Sequence, residues 1–479
     1  MASIVVIDHP IILRIAALAA DKGASAYVVG GYVRDALMGR ARSDVDITIV
    51  GDAVDFARQV ANLFNSKAIV YERFGTAMVP IGDLHVEFVG TRREEYHANS
   101  RKPVVTMGSL DDDLRRRDFT VNAMAASLAP ETLGHVVDLF GGQADLADGV
   151  LRTPLDPVVT MSDDPLRMMR AARFAAQLGF RIDADTERAI TDMADRIGII
   201  SQERITDEFL KILGAPLPSI GLKVLFQTGL LKHILPEVHA LAGVDLVAVG
   251  NREYRHKDVF LHTLQVVDNV AKVSNNVWLR LATLMHDVAK PKTKRFVEGT
   301  GWTFHGHEDV GARWQEKIFR RMKLPMDHLD YVQRLVRLHQ RPMMLVDEGV
   351  TDSAIRRLAV AAGEALDDLF VLCKADVTTK NPRLAERYTR NYDVVKAKID
   401  AVAERDQLRS FQSPLRGEEI MSITGLPPSR TIGYIKWMIE EAILEGDIPN
   451  DVTAAKNYML ANVDQWVAQA DTAHFQRRG

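Results

Sequence analysis

Apolar residues recur along this chain at two different periods. In the first third, YVVGG (27–31) and VDITIV (45–50) are short β-branched runs that predict strands, and VEFV (86–89) adds another. Helical spacing appears beside them in DAVDFARQVANLF, and MASIVVIDHPIILRIAALAADKG predicts a short strand or cap followed by an amphipathic helix. From about residue 156 the spacing is helical: DDPLRMMRAARFAAQLGF, then DTERAITDMADRIGII, then RITDEFLKIL. From about 246 helices continue, with histidines at their ends. After about 386 charged helices are broken by the turn signals SPLRGEE, TGLPPSR and EGDIPND. The pattern predicts an α+β protein in four regions: a mixed region at 1–155, helices at 156–245, a histidine-bearing helical region at 246–385 and a helical tail at 386–479.

Composition narrows this picture. At 479 residues the chain is too long for one hydrophobic core. The balance of 47% hydrophobic and 26% charged residues is that of a globular protein in water. A single cysteine, Cys373, excludes a disulfide scaffold and fits a reducing compartment, so a cytoplasmic location is expected. The first residues lack a basic stretch and a small-residue cleavage site, and no apolar run is long enough to span a bilayer. A net charge of −4 does not announce a nucleic-acid partner, so any such contact must use local basic strips. KIFRRMK (317–323), NPRLAERYTRNY (381–392) and GLPPSRTIGYIKW (425–437) are candidates, each equally readable as a solvated helix face.

The strand VDITIV raises a chemical question. Asp44 and Asp46, two residues apart, share one face of it, where bare carboxylates repel. A pair of Mg²⁺ ions, about 3.5–4 Å apart in such sites, resolves the repulsion and suits in-line phosphoryl transfer. Upstream, Gly30 and Gly31 follow a strand and precede helical spacing, which permits close backbone approach to phosphates, and Arg34 is a candidate phosphate ligand. Taken singly, a GG is a turn and a DxD a solvated pair. The combination, in this order, is far more specific.

Those residues resemble the GGxVRD…DxD signature of the class II RNA nucleotidyltransferases, the bacterial CCA-adding enzymes and poly(A) polymerases; it is matched by Gly30, Gly31, Val33, Arg34, Asp35, Asp44 and Asp46. FGTA (74–77) and the Arg92-x-Glu94-x-Tyr96 segment are similar to further family motifs, the latter opening a loop that switches between CTP and ATP. LRRRDFTVNAMA resembles the family's RRDFTxNA. The resemblance implies that Arg116 and Arg117 contact the triphosphate and that Asp118 and Asn122 shape the sugar site. On residues alone, RRR balanced by DDD at 111–113 is a solvated basic turn. Glu87 is either a third metal carboxylate or a salt-bridge partner at the edge of the core.

In SDDPLRMMRAARF, Asp164, Arg167, Arg170 and Arg173 are spaced by three, the spacing of an exposed salt-bridged helix face. Pro165 suits a first helical turn, with Ser162 or Asp163 as cap. The resemblance implies more: here the family carries a protein template, with Asp164 and Arg167 reading the incoming base and Arg170 and Arg173 in phosphate or hinge roles. Asp163 stands where many members have Glu. A carboxylate accepts from the amino group of C or A, and a guanidinium donates to N3 of C or N1 of A, so one pair reads both.

Further on, His262, His286-Asp287, His307, His339 and Asp376 lie on successive helices. Their order resembles the HD phosphohydrolase superfamily with the extra ligands of a dinuclear site; the opposing reading is an inactive structural remnant. Mixed imidazole and carboxylate ligands favour a divalent transition metal over Mg²⁺. The two resemblances imply a polymerase β-like head with a small mixed sheet, an all-α neck, an HD domain and an RNA-binding helical tail. They also imply Mg²⁺ in the head and tRNA (its acceptor arm), CTP and ATP as partners. A poly(A) polymerase, an enzyme adding only A, or an HD phosphohydrolase with a non-catalytic head are the alternatives.

Overall fold

A computed structural model describes residues 3–40, 45–71, 75–97, 100–243, 246–249, 252–255, 258–346, 350–406 and 413–470, with the backbone alone for 93–97, 100–105, 246–249, 252–255 and 403–406. The chain divides into two units, Met1–His239 and Ala240–Gly479.

The first unit is built on a seven-stranded sheet in the order β3-β4-β5-β2-β1-β8-β9. Its strands are β1 (Ser25–Val29), β2 (Val45–Val50), β3 (Ile69–Tyr71), β4 (Thr76–Ile81), β5 (Leu84–Gly90), β8 (Met124–Ser127) and β9 (Val136–Asp138), while β6 (Arg92–His97) and β7 (Ser100–Met107) form a separate hairpin. Alternation decides what each face carries. Val28, Val45, Ile47, Ile49, Val86 and Phe88 point to a core shared with α1 (Pro10–Asp21) and α3 (Ala53–Leu63). Asp46 and Thr48 point the other way. On that second face α4 (Leu110–Arg115) lays Leu114 against Val29 and Ala125. A Ser109–Asp112 capping box starts α4. β2 pairs parallel with β5, setting Asp46 opposite Glu87. Between β1 and β2 comes α2 (Gly31–Leu37), and α5 (Gly142–Asp148) follows the sheet.

Helices then take over: α6 (Pro157–Asp163), α7 (Leu166–Leu178), α8 (Ala184–Asp192), α9 (Gln202–Leu213), α10 (Pro218–Gln227), α11 (Leu230–Ile234) and α12 (Pro236–His239). Ser162 and Asp163 belong to α6, so neither caps α7 as the sequence predicts; the Asp164 carboxylate accepts from the Leu166 N–H instead. Helix α10 crosses close to α7 and α9 at Gly221, where a Cβ would meet Ile212 Cγ2 at 2.7 Å and the Ala172 carbonyl oxygen at 2.8 Å.

In the second unit, α13 (Val259–Ala271), α14 (Val277–Met285), α15 (Lys290–Thr293), α16 (His307–Met322), α17 (Leu329–Leu338), α18 (Asp352–Ala362), α19 (Leu366–Ala375) and α20 (Pro382–Asp406) are followed by α21 (Gly417–Thr424), α22 (Arg430–Glu445) and α23 (Val452–Gln469). The last three enclose a small core of Ile420, Ile435, Ile439, Met459 and Trp466. Among the described residues, no helix is long and apolar enough to cross a membrane. Gly221→Ala should destabilise the α7–α10 packing by about 1–3 kcal/mol, because the new methyl meets backbone. Hydrogen exchange of α7 and α10 amides checks this, and unaltered protection would refute the close approach.

Candidate active sites

In the first unit, a chain of hydrogen bonds ties three sequence motifs together. The Arg34 guanidinium donates to both oxygens of Asp35 (2.9 and 3.0 Å) and to Asn122 Oδ1 (2.7 Å). Asn122 Nδ2 donates to Asp118 Oδ1 (3.1 Å), which also accepts from the Phe119 N–H (2.8 Å). Arg170 Nε on α7 donates to Asp118 Oδ2 (2.7 Å). Burial alone would raise the Asp118 carboxyl, but Arg170, Asn122 and the Phe119 N–H together bring it down to about 2. Burial would likewise depress Arg170, and Asp118, Glu208 and Asp164 together more than reverse it.

A second carboxylate, Asp113, organises the neighbouring arginines. It is fully buried, pairs with Arg116, accepts from Arg117 Nη2 at 3.1 Å and faces Thr48 Oγ1 at 3.5 Å. Thr48 shares its strand face with Asp46, so Asp113 connects the two arginines to that strand. Its burial would raise its carboxyl, and Arg117 and Arg116 hold it below the ordinary value. Gly30 lies under this cluster with φ +65°, and a Cβ there would sit 2.8 Å from Arg117 Nη1. Glycine at this position thus answers both a left-handed backbone and a close guanidinium. Gly31 is unstrained, with Arg34 Nη2 at 3.6 Å from the Cβ position.

The α7 residues find separate partners. Arg167 is buried and donates to the carbonyls of Thr160 (3.0 Å) and Arg116 (2.5 Å). Asp164 pairs with Arg204 at 3.0 Å. Arg173 pairs with buried Glu208 at 2.8 Å and lies over the Phe174 ring. Asp46 is half-buried and Glu87 is exposed opposite it. Asp44 lies outside the described residues, as does Phe74, and of Glu94 and Tyr96 only the backbone is described. Sequence reasoning missed Asp113, Arg204 and Glu208. The spacing of Asp113 to Arg116 and Arg117, three and four residues, was the available signal.

In the second unit, five helix ends converge. His262 lies in the first turn of α13, His286 caps the end of α14 and Asp287 follows it. His307 opens α16, His339 follows α17 and Asp376 follows α19. The ligand atoms fall into two groups, His262/His286/Asp376 and Asp287/His307/His339, each within 4.8 Å. All four imidazoles are held through Nδ1: by the Thr378 hydroxyl (2.9 Å) and by the carbonyls of Thr283 (2.6 Å), Phe304 (2.8 Å) and Val336 (2.7 Å). Every Nε2 therefore faces the centre, as metal ligation requires.

Asp287 stands between the groups. Its Oδ2 lies 3.3 Å from His286 Nε2 and its Oδ1 3.2 Å from His307 Nε2. Yet Asp287 Oδ1 and His286 Nε2 are buried and make no hydrogen bond. Orphaned polar atoms of this kind fit a cation-binding site. The carboxylates here draw positive charge onto a neighbouring imidazole. Burial would depress His286, but Asp287 and Asp376 push it up to about 10, whereas burial and His286 push His339 down to about 3. Asp287 is held well below the carboxylate range against its burial by His286 and Lys290. His305 is exposed and outside the cluster.

The basic strips are partly self-paired: Arg320 with Glu316, Arg390 with Glu386 and Lys436 with Glu440. Lys436 and Trp437 line a cavity of about 520 Å³ at the start of α22.

Residues 26–152 match the poly A polymerase head domain, 179–241 the family described as "Probable RNA and SrmB- binding site of polymerase A", and 259–381 the HD domain. This head and this HD domain define a polymerase-type nucleotidyltransferase with an appended metal-site fold. An A-adding tRNA nucleotidyltransferase of Deinococcus radiodurans is 33% identical over 433 residues, spanning 88% of this chain and 92% of that one. A multifunctional CCA protein of Xanthomonas campestris is 31% identical, over 83% and 96% of the respective chains. The Bacillus stearothermophilus CCA-adding enzyme solved with CTP shares the fold, with a TM-score of 0.69 and 23% identity over 96% of this chain and 100% of that one. The chain belongs to the tRNA nucleotidyltransferase family.

The Asp118 carboxyl titrates near 2 in the folded protein against an ordinary 3.8. A lowered carboxyl stabilises above the ordinary value, and the effect disappears as pH falls through the folded one; here it amounts to about 2 kcal/mol at neutral pH. Asp118→Asn should therefore reduce the stability of the first unit at pH 7, the deficit shrinking to roughly half by pH 3. Hydrogen exchange at residues 119–123 in both proteins measures it.

Proposed function

We propose that this enzyme adds C and A residues, the terminal CCA or part of it, to the 3′ end of tRNA from CTP and ATP. The observation that carries the reading is the Asp113-held pair Arg116/Arg117, anchored through Thr48 to the strand of Asp46 and packed against Gly30. It is a preorganised positive cradle for a triphosphate beside a metal-competent carboxylate. The primer hydroxyl attacks the α-phosphate and pyrophosphate leaves. Asp46, together with Asp44, would hold Mg²⁺, which when bound would supply hydroxyl activation and charge neutralisation at the leaving group.

Asp164 and Arg167 read the Watson–Crick edge of C or A. To do so, Arg167 exchanges its backbone acceptors for the base, and Asp164 exchanges Arg204. U and G present a carbonyl and an N–H where this pair needs an amino group and a ring nitrogen. Relatives named as A-adding and as multifunctional CCA proteins both support the reading, and a single assay separates them. tRNAs lacking one, two or all three terminal nucleotides, incubated with CTP and ATP separately and then sequenced, report which additions occur; no extension of any of them would refute it. We further infer a cytoplasmic location, with the tRNA pool.

A second activity is favoured by the six-residue cluster of the second unit: phosphoester hydrolysis dependent on a divalent transition metal. Asp46→Ala should lower nucleotide incorporation by about a thousandfold or more while leaving release of phosphate from a nucleotide substrate intact. His286→Ala should do the reverse. Loss of both activities in either variant would show that the two sites are not independent. Arg167→Ala should relax discrimination against UTP and GTP more than it raises the KM for CTP; unaltered selectivity would sink the template reading.

A further inference from the structure

The second unit holds a cation of its own at the bridging aspartate. Lys290 Nζ lies 2.6 Å from Asp287 Oδ2, the oxygen that faces His286 at 3.3 Å and His262 at 3.8 Å. This oxygen lies close enough to His262 and His286 to serve as a further ligand of a divalent ion held by His262, His286 and Asp376. The ammonium and the metal therefore compete for one site, and the pair repel if both remain. Lys290 has somewhere to go. It lines a cavity of about 370 Å³ together with His262, Asp376, Thr378, Thr379, Phe304 and Tyr388, with its ammonium 5.6 Å from the centre of the Phe304 ring. Its side chain is only 21% exposed. The two threonine hydroxyls are the neighbouring donors there.

We propose that Lys290 is the internal counter-cation of Asp287 and, once a divalent ion takes that carboxylate oxygen, binds a phosphoryl oxygen of the substrate in the adjoining cavity. This rests on the metal-site reading of the second unit. One residue then has opposite effects on two ligands. It weakens metal binding, because its charge must be displaced, and it strengthens phosphate binding, because the displaced charge becomes a ligand.

The test uses the full chain, titrated with Co²⁺ and followed by the visible absorption of nitrogen-ligated cobalt, then with inorganic phosphate on the loaded protein. Lys290→Met, which keeps the length of the stem, should bind Co²⁺ about tenfold more tightly and inorganic phosphate about tenfold more weakly, the size of one partly buried charge pair. Lys290→Gln should follow Lys290→Met should the latter fold poorly, and Lys290→Arg should resemble the parent in both titrations. Cobalt affinity that is unaltered or weaker in the neutral variants, or phosphate affinity that is unaltered, overturns the role of Lys290 alone. A parent protein that gives no nitrogen-ligated cobalt spectrum overturns the metal-site reading together with it.

Discussion

A carboxylate taken out of water must be given positive charge, and both sites of this protein are arranged around that necessity. In the first unit, Asp113 and Asp118 are buried beside the second face of the sheet and draw Arg116, Arg117 and Arg170 into fixed positions. In the second, Asp287 is sealed among His286, His307, His339 and Lys290. The difference lies in what satisfies the charge. Asp113 and Asp118 are answered by guanidinium groups that cannot lose a proton, which makes rigid scaffolding. Asp287 is answered by imidazoles and an ammonium, groups that a metal ion can displace.

That distinction explains why the two sites were unequally readable in the sequence. The α+β division and the helical remainder followed from periodicity, because the strand alternation at 45–50 and the helical spacing after 156 are each long enough to be unambiguous. The six His and Asp side chains of the second unit were legible because that site is made of unusual residue types at helix ends, and the structure brings all six together. Asp113 was only half legible: its spacing to Arg116 and Arg117 allows pairing, but Asp112 is also four residues from Arg116. It sits in a run of three aspartates, and nothing in DDD says which one is buried. The third is, because α4 packs Leu114 against Val29 and Ala125, and the residue beside Leu114 goes under with it.

Capping misled for a related reason. SDDP offers three possible caps, and the sequence favours Ser162 or Asp163. A preceding helix, α6, already claims Ser162 and Asp163, and Arg196 occupies the Ser162 hydroxyl. Asp164 is left to accept from the Leu166 N–H at the start of α7 and to pair with Arg204 at once. A residue expected to read a base therefore also fixes the geometry of its own helix, which gives the carboxylate a defined direction without the substrate.

The arginine stripe of α7 carries the argument furthest. Spacing by three alone suggested one surface with one job. The helix drifts, so each successive arginine faces a different neighbour: Arg167 the backbone of Arg116, Arg170 the Asp118 carboxylate, Arg173 Glu208 on α9. About two turns of one helix thus hold the carbonyl of Arg116, the Asp118 carboxylate and Glu208 on α9. Arg167, the residue proposed to read the base, donates to the carbonyl of Arg116, one of the two arginines proposed to hold the triphosphate, so one hydrogen bond links the two proposed roles.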